Sequence, residues 1–208
     1  MGAIYIGISG WCSPPWRGVF YPQGLAQDRE LEFASRALPT IEINGSFYSL
    51  QRPESYAAWY AATPPGFLFS VKGNRYITHT LRLREIDGPL ANMLASGVFK
   101  LREKLGPFLW QFPPNFRFDP ERMEHFLSLL PHDTEQALAL ALEYEPRMKG
   151  RTALQVDKNR KLRHAIEIRN DSFVDEAFIR LLRKYRIALV VADTAGKWPY
   201  FEDLTADF

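Results

Sequence analysis

The chain has 208 residues, enough for one sizeable core, and reads as a single domain from 1 to 208. A net charge of +2 gives no global field of the kind that marks nucleic-acid binders, and a lone cysteine, Cys12, excludes an internal disulfide framework. With 46% hydrophobic and 24% charged residues and neither a basic leader nor a long apolar run at the start, the chain reads as a globular protein of the cytoplasm, without a signal peptide or membrane span.

The first predicted strand is Ile4–Ser9, with Ile4, Ile6 and Ile8 on one face and Gly7 and Ser9 on the other. A loop punctuated by Pro and Gly follows and carries Trp11, Cys12, Trp16, Phe20 and Tyr21, aromatics that predict an ordered loop rather than a linker. A helix is expected over 28–38, stopped by Pro39. The second strand begins the stretch Thr40–Tyr48, around which the chain is organised. Ile41 and Ile43 point one way, and Glu42 and Asn44 the other. A helix over 54–62 leads to a third strand, 67–72, whose polar face ends in Lys72. After a loop with Arg75 and His79, a helix is predicted over 89–105.

The fourth strand, 108–112, sets Leu109 and Gln111 opposite Phe108, Trp110 and Phe112. Helices are expected over 119–130 and 134–144, then a connection with seven Lys or Arg between Arg147 and Arg163 against a single acid, Asp157. The fifth strand, 164–169, carries Glu167 and Arg169 on one face; a helix over 174–185 and a sixth strand, 187–193, ending in Asp193, complete the pattern. Strands alternating with helices predict a parallel sheet, either an open doubly wound sheet or a TIM-like barrel. The absence of a Gly-rich fingerprint after the first strand and the inward polar faces favour the barrel.

In such a barrel the carboxyl ends of the strands build the site. That rule gathers Ser9, Glu42, Asn44, Lys72, Gln111, Glu167, Arg169 and Asp193, with His79, Trp11 and Tyr48 on the loops above. Glu42 and Glu167 read as an acid and base pair, and Lys72 as a carboxylate partner or a Schiff-base amine. The competing account is an internal ion network. Buried ion pairs seldom add net stability over apolar packing, which makes that a poor reason to collect so many at one end. The four histidines are scattered, so no zinc site is expected, and the alternative metal set is a hard ion on Glu42, Glu167 and Asp193. Cys12 has no His near it in sequence and is not assigned as a nucleophile. The basic connection starts on the face opposite the site and reads as a solvated loop, with nucleic-acid binding as the alternative.

Several motifs occur together: Gly7-Ile8-Ser9-Gly10-Trp11, Trp16-Arg17-Gly18-Val19-Phe20-Tyr21-Pro22, Glu42-Ile43-Asn44 with Phe47-Tyr48, Phe69-Ser70-Val71-Lys72, Trp110 to Phe116, and Ala165 to Arg169. In this combination the chain resembles the YecE-like family, domain of unknown function seventy-two. The resemblance implies a TIM-like barrel and supplies no reaction and no cofactor. It places the family's recurring polar positions on Glu42, Asn44, Lys72, Gln111, Glu167, Arg169 and Asp193. Cys12 stands where family members often have Tyr, which argues against a thiol mechanism. Members of that family usually continue past Phe208 into a further strand, so the barrel is expected to be incomplete, with about six strands. An extension supplying further strands should then raise solubility and melting temperature.

The reading is an enzyme for a small polar ligand, anionic or sugar-like. Trp11 and Tyr48 would cover it, and Ser9, Asn44, His79 and Gln111 would contact it. The alternative is a non-catalytic module binding a ligand or nucleic acid.

Overall fold

The computed structural model describes residues 2–208. Six strands form one parallel sheet: β1 (Gly7–Ser9), β2 (Thr40–Ile43), β3 (Leu68–Lys72), β4 (Leu105–Gln111), β5 (His164–Glu167) and β6 (Ala188–Leu189). Between them run α1 (Glu30–Ala37), α2 (Gly45–Tyr48), α3 (Pro53–Ala62), α4 (Asp87–Ala95), α5 (Pro120–Leu129), α6 (Thr134–Ala141) and α7 (Glu176–Tyr185). Strand order follows chain order from β1 to β6 without reversal. A doubly wound sheet reverses its order near the middle; an uninterrupted order is that of a TIM-like barrel. The sheet is not closed, so β1 and β6 form its two edges. Among the described residues no helix is long and apolar enough to cross a membrane.

Strand parity sorts the two faces. Ile41, Ile43, Phe69, Val71, Phe108, Trp110 and Ile166 are all at most 1% exposed and lie under the helices. Trp110 meets Phe126 of α5 edge-on, at 5.2 Å between centroids. The alternate residues Glu42, Lys72 and Glu167 point to the inner face of the open barrel and are only part-buried. Gly73, directly after β3, is where the faces constrain each other, because a Cβ there would sit 2.3 Å from the Trp110 ring. Helix starts are satisfied locally: Asp119, Asp133 and Asp175 accept from backbone N–H groups of α5, α6 and α7.

Five expectations need correction. The first strand starts at Gly7 rather than Ile4, and Ile4 and Ile6 are 89% and 71% exposed. Gly7 pairs with Thr40, the residue at which β2 begins, so the segment before Gly7 has no strand beside it. The sixth strand covers Ala188–Leu189 rather than 187–193, because it lies at an edge and its only neighbour, β5, ends at Glu167. The helix expected over 89–105 stops at Ala95. Gly97 follows with φ of 117°, Val98–Lys104 forms tight turns, and Leu105 already belongs to β4. The stretch after Asn44 is a short helix, α2, and the loop after β3 contains a π-helical turn, Tyr76–Thr80.

Candidate functional site

On the β1–β2 side, the register sets Ser9 beside Glu42. The Ser9 hydroxyl donates to Glu42 Oε1 at 2.8 Å and accepts from Asn44 Nδ2 at 2.7 Å. Lys72 Nζ lies 3.6 Å from the same carboxylate oxygen, and both side chains are 14% exposed. Ser9, Glu42 and Asn44, expected together from parity, are therefore hydrogen-bonded to one another, and Lys72 is ion-paired to the same carboxylate.

On the β4–β5 side, Gln111 pairs in register with Glu167. Gln111 Nε2 donates to both carboxylate oxygens, at 2.9 and 2.8 Å, and Arg169 Nε donates to Oε1 at 2.8 Å. The guanidinium of Arg169 sits 5.2 Å from the ring of Trp198. Each carboxylate on the inner face thus has a cation and an uncharged donor, while part of its surface still faces the mouth of the sheet.

The loops after β2 and β3 are stitched together between these units. The Ser46 hydroxyl lies 2.7 Å from the Lys72 carbonyl, Asn74 Nδ2 donates to the Ser46 carbonyl at 2.9 Å, and Asn74 Oδ1 accepts from the Tyr76 N–H at 2.9 Å. This brings Phe47 into the centre of a cationic group. Lys72 Nζ is 5.2 Å and the Arg75 guanidinium carbon 6.0 Å from its ring centroid, and the His79 ring meets it edge-on at 5.1 Å. Burial holds His79 below the ordinary imidazole value, and the charges of Arg75, Arg169 and Lys72 push the same way. The loop is conformationally unusual: the π turn is followed by Arg82, Leu83 and Glu85 at positive φ. Such backbone is held in place by its surroundings and is concentrated at functional sites.

Three further predicted site residues make no hydrogen bond or ion pair with either carboxylate unit. Trp11 packs edge-on against Trp59 of α3, at 5.4 Å, and lies 6.4 Å from Phe69, so it belongs to the layer between helix and sheet. Tyr48 is 69% exposed; it touches Phe47 and borders a side cleft with Asn74, Tyr76, Asn92 and Arg147. Asp193 is exposed beyond the end of β6 and accepts a long contact from the Ala195 N–H. Among the described residues no three His, Cys, Asp or Glu side chains are grouped to hold a metal ion, so Glu42, Glu167 and Asp193 do not assemble as a hard-ion site. Desolvation pushes the Cys12 thiol up, and the neighbouring charge of Glu30 adds to it, which disfavours the thiolate.

Parity missed Arg75 and Trp198, because loops have no alternation to read; the sequence leaves Phe47 open to a stacking role. The signal available was composition: Arg75, two residues after Gly73, is a cation in a loop following a strand end. The basic connection also runs differently from expectation. Arg147 borders the Tyr48 cleft on the site side, and the chain then descends past α4, where the Ala153 N–H donates to the Ala95 carbonyl. Its cations are spread out and partly neutralised, Arg147 by Glu145, Arg160 by Asp157 and Lys161 by Asp207.

An open parallel β/α barrel, with its polar side chains gathered at the carboxyl ends of the strands, is the class that fold and site define. The chain belongs to the family described as Protein of unknown function DUF72, which matches residues 5–208. It is similar to the UPF0759 protein YecE of Escherichia coli (strain K12), 30% identical over 131 residues, covering 62% of this chain and 44% of that protein. It is similar also to the UPF0759 protein YunF of Bacillus subtilis (strain 168), 29% identical over 59% of this chain and 44% of that protein. The matches thus span less than half the length of these relatives. Among solved structures, the DUF72 family protein TM1631 of Thermotoga maritima superposes with a TM-score of 0.70 at 25% identity, covering 98% of this chain and 71% of that one. The DUF72 family protein EF0366 of Enterococcus faecalis V583 gives 0.64 at 20% identity, over 98% and 67%, and bears on the fold alone.

Proposed function

We propose that the carboxyl ends of the strands form an active site for a small polar ligand, anionic or sugar-like. The observation that carries this reading is the pair of part-buried carboxylates on the inner face, Glu42 and Glu167, each held by its own cation and neutral donor. A carboxylate fixed in this way is oriented for proton transfer, and the remaining inner face is free for a reacting molecule. Glu42 and Glu167 handle protons, Lys72 and Arg169 hold negative charge, and Ser9, Asn44 and Gln111 orient. Phe47 takes over the covering role first assigned to Trp11 and Tyr48. The spread and pairing of the cations between Arg147 and Arg163 weigh against a nucleic-acid module.

A thermal-shift screen of small metabolites tests the reading. The expected result is a stabilising compound whose effect disappears in Glu167→Gln and in Lys72→Met. Hits that bind both variants as well as they bind the unaltered protein would overturn it. Salt-dependent binding of DNA or RNA, abolished by neutralising 147–163 and indifferent to Glu42→Gln, would replace it with the nucleic-acid module.

A further inference from the structure

We infer that the ligand carries a phosphate or carboxylate group, seated against Phe47 by Lys72, Arg75 and His79. This rests on the reading of the strand ends as a ligand site and names the chemistry that site selects.

The argument begins with charge balance. On the inner face Glu42 is matched by Lys72 and Glu167 by Arg169. Arg75 has no carboxylate partner among the described residues, and it is exposed three residues from the stitched Lys72 carbonyl. The mouth therefore carries a surplus positive charge. Lys72 and Arg75 are instead close to the ring of Phe47, which attracts cations without neutralising them.

Hydrogen-bonding capacity points the same way. Arg169 uses Nε on Glu167, and among the described residues neither of its outer nitrogens meets a protein acceptor. These open guanidinium nitrogens lie at a strand end of the same inner face, and such donors suit the geometry of an oxyanion. Lys72, Arg75 and His79 meet at the one ring of Phe47, and the imidazole, depressed first by burial, also feels the charges of Arg75, Arg169 and Lys72. Hydrogen bonds from Ser46 and Asn74 already hold the loop after β3, so little ordering remains to be done when an anion arrives.

Calorimetric titration of inorganic phosphate and of glycerol phosphate into the full chain tests the inference. Saturable binding is expected, weakened roughly tenfold in Arg75→Gln, as befits one lost charge-assisted contact. Because Arg75 is exposed, that variant should fold, and Lys72→Met gives a second reading at the same seat. Lys161→Gln, paired with Asp207 just before the amino-terminal end of β5, should bind like the unaltered chain. Absence of saturable binding, or equal affinity in Arg75→Gln and the unaltered chain, would overturn the seat. A single-stranded oligonucleotide that displaces phosphate with a steep salt dependence would overturn a small-molecule source for the anion. Glu167→Gln separates the two readings: Glu167 is bonded to Gln111 and Arg169 and not to Lys72 or Arg75, so the variant should lose the metabolite response and retain phosphate binding. Retained phosphate binding together with metabolite hits indifferent to Glu42→Gln and Glu167→Gln would leave the seat standing and remove the proton-transfer roles.

Discussion

The two faces of this sheet obey different physics, although their residues alternate along the same strands. The helix-facing side buries Ile41, Phe69, Trp110 and Ile166, and even its one histidine is uncharged: His164 accepts from Trp110 Nε1 and donates to the Pro131 carbonyl. The inner side keeps Glu42 paired with Lys72 and Glu167 paired with Arg169, with part of each surface open. Burial energy is concentrated on the first face and polar specificity on the second. Damage to the first should therefore unfold the protein, and damage to the second should silence it.

The sharpest way to break that contrast is Trp110→Ala. It removes a fully buried ring and orphans His164 Nδ1, and should cost about 3–5 kcal/mol in urea unfolding. A similar stability in the variant would mean that the helix-facing side is not the core. Next in size is pH. Burial pushes His164 down to about 4 from an ordinary 6.5. For this base the unfolded chain takes up a proton first, so the stability it contributes is complete above pH 6.5 and is lost as pH falls from 6.5 to about 4. The loss is about 3 kcal/mol over that window, and the difference in unfolding free energy between the unaltered chain and His164→Gln should trace it.

Gly73→Ala tests the junction of the faces. Its Cβ would strike the Trp110 ring, and the repacking should lower stability by about 1–3 kcal/mol. The shift should reach Lys72, one residue away, and weaken phosphate binding as well. The smallest stability effect belongs to Glu167→Gln. Its partner Arg169 is 27% exposed and can be rehydrated, so unfolding should move by under about 1 kcal/mol while ligand response disappears. A large loss of stability there would turn the inner polar set into a structural network.

How far the sequence carried the reading follows the range of the forces involved. Alternation is local: it put Ile41 and Ile43 on the core side and Glu42 with Lys72, Gln111 and Glu167 on the other, and the structure keeps that division. It misplaced Ile4, Ile6 and Asp193 because a strand lasts only as long as its neighbour can pair with it, and the neighbours are far away in sequence. It ran one helix through Gly97, where the close approach of Pro53 from α3 leaves no space for a side chain. It sent Trp11 to the site because an aromatic residue in a loop has no intrinsic address; Trp59 and Phe69 supply one.

Composition and alternation by themselves therefore determined a parallel β/α architecture and which strand residues turn inward, because backbone geometry forces side chains to alternate. Only the tertiary structure decided which cations remain without a partner. Arg75, Phe47 and His79 meet through the contacts of Ser46 and Asn74 across two loops, and contacts between segments distant in sequence leave no periodic trace in the chain.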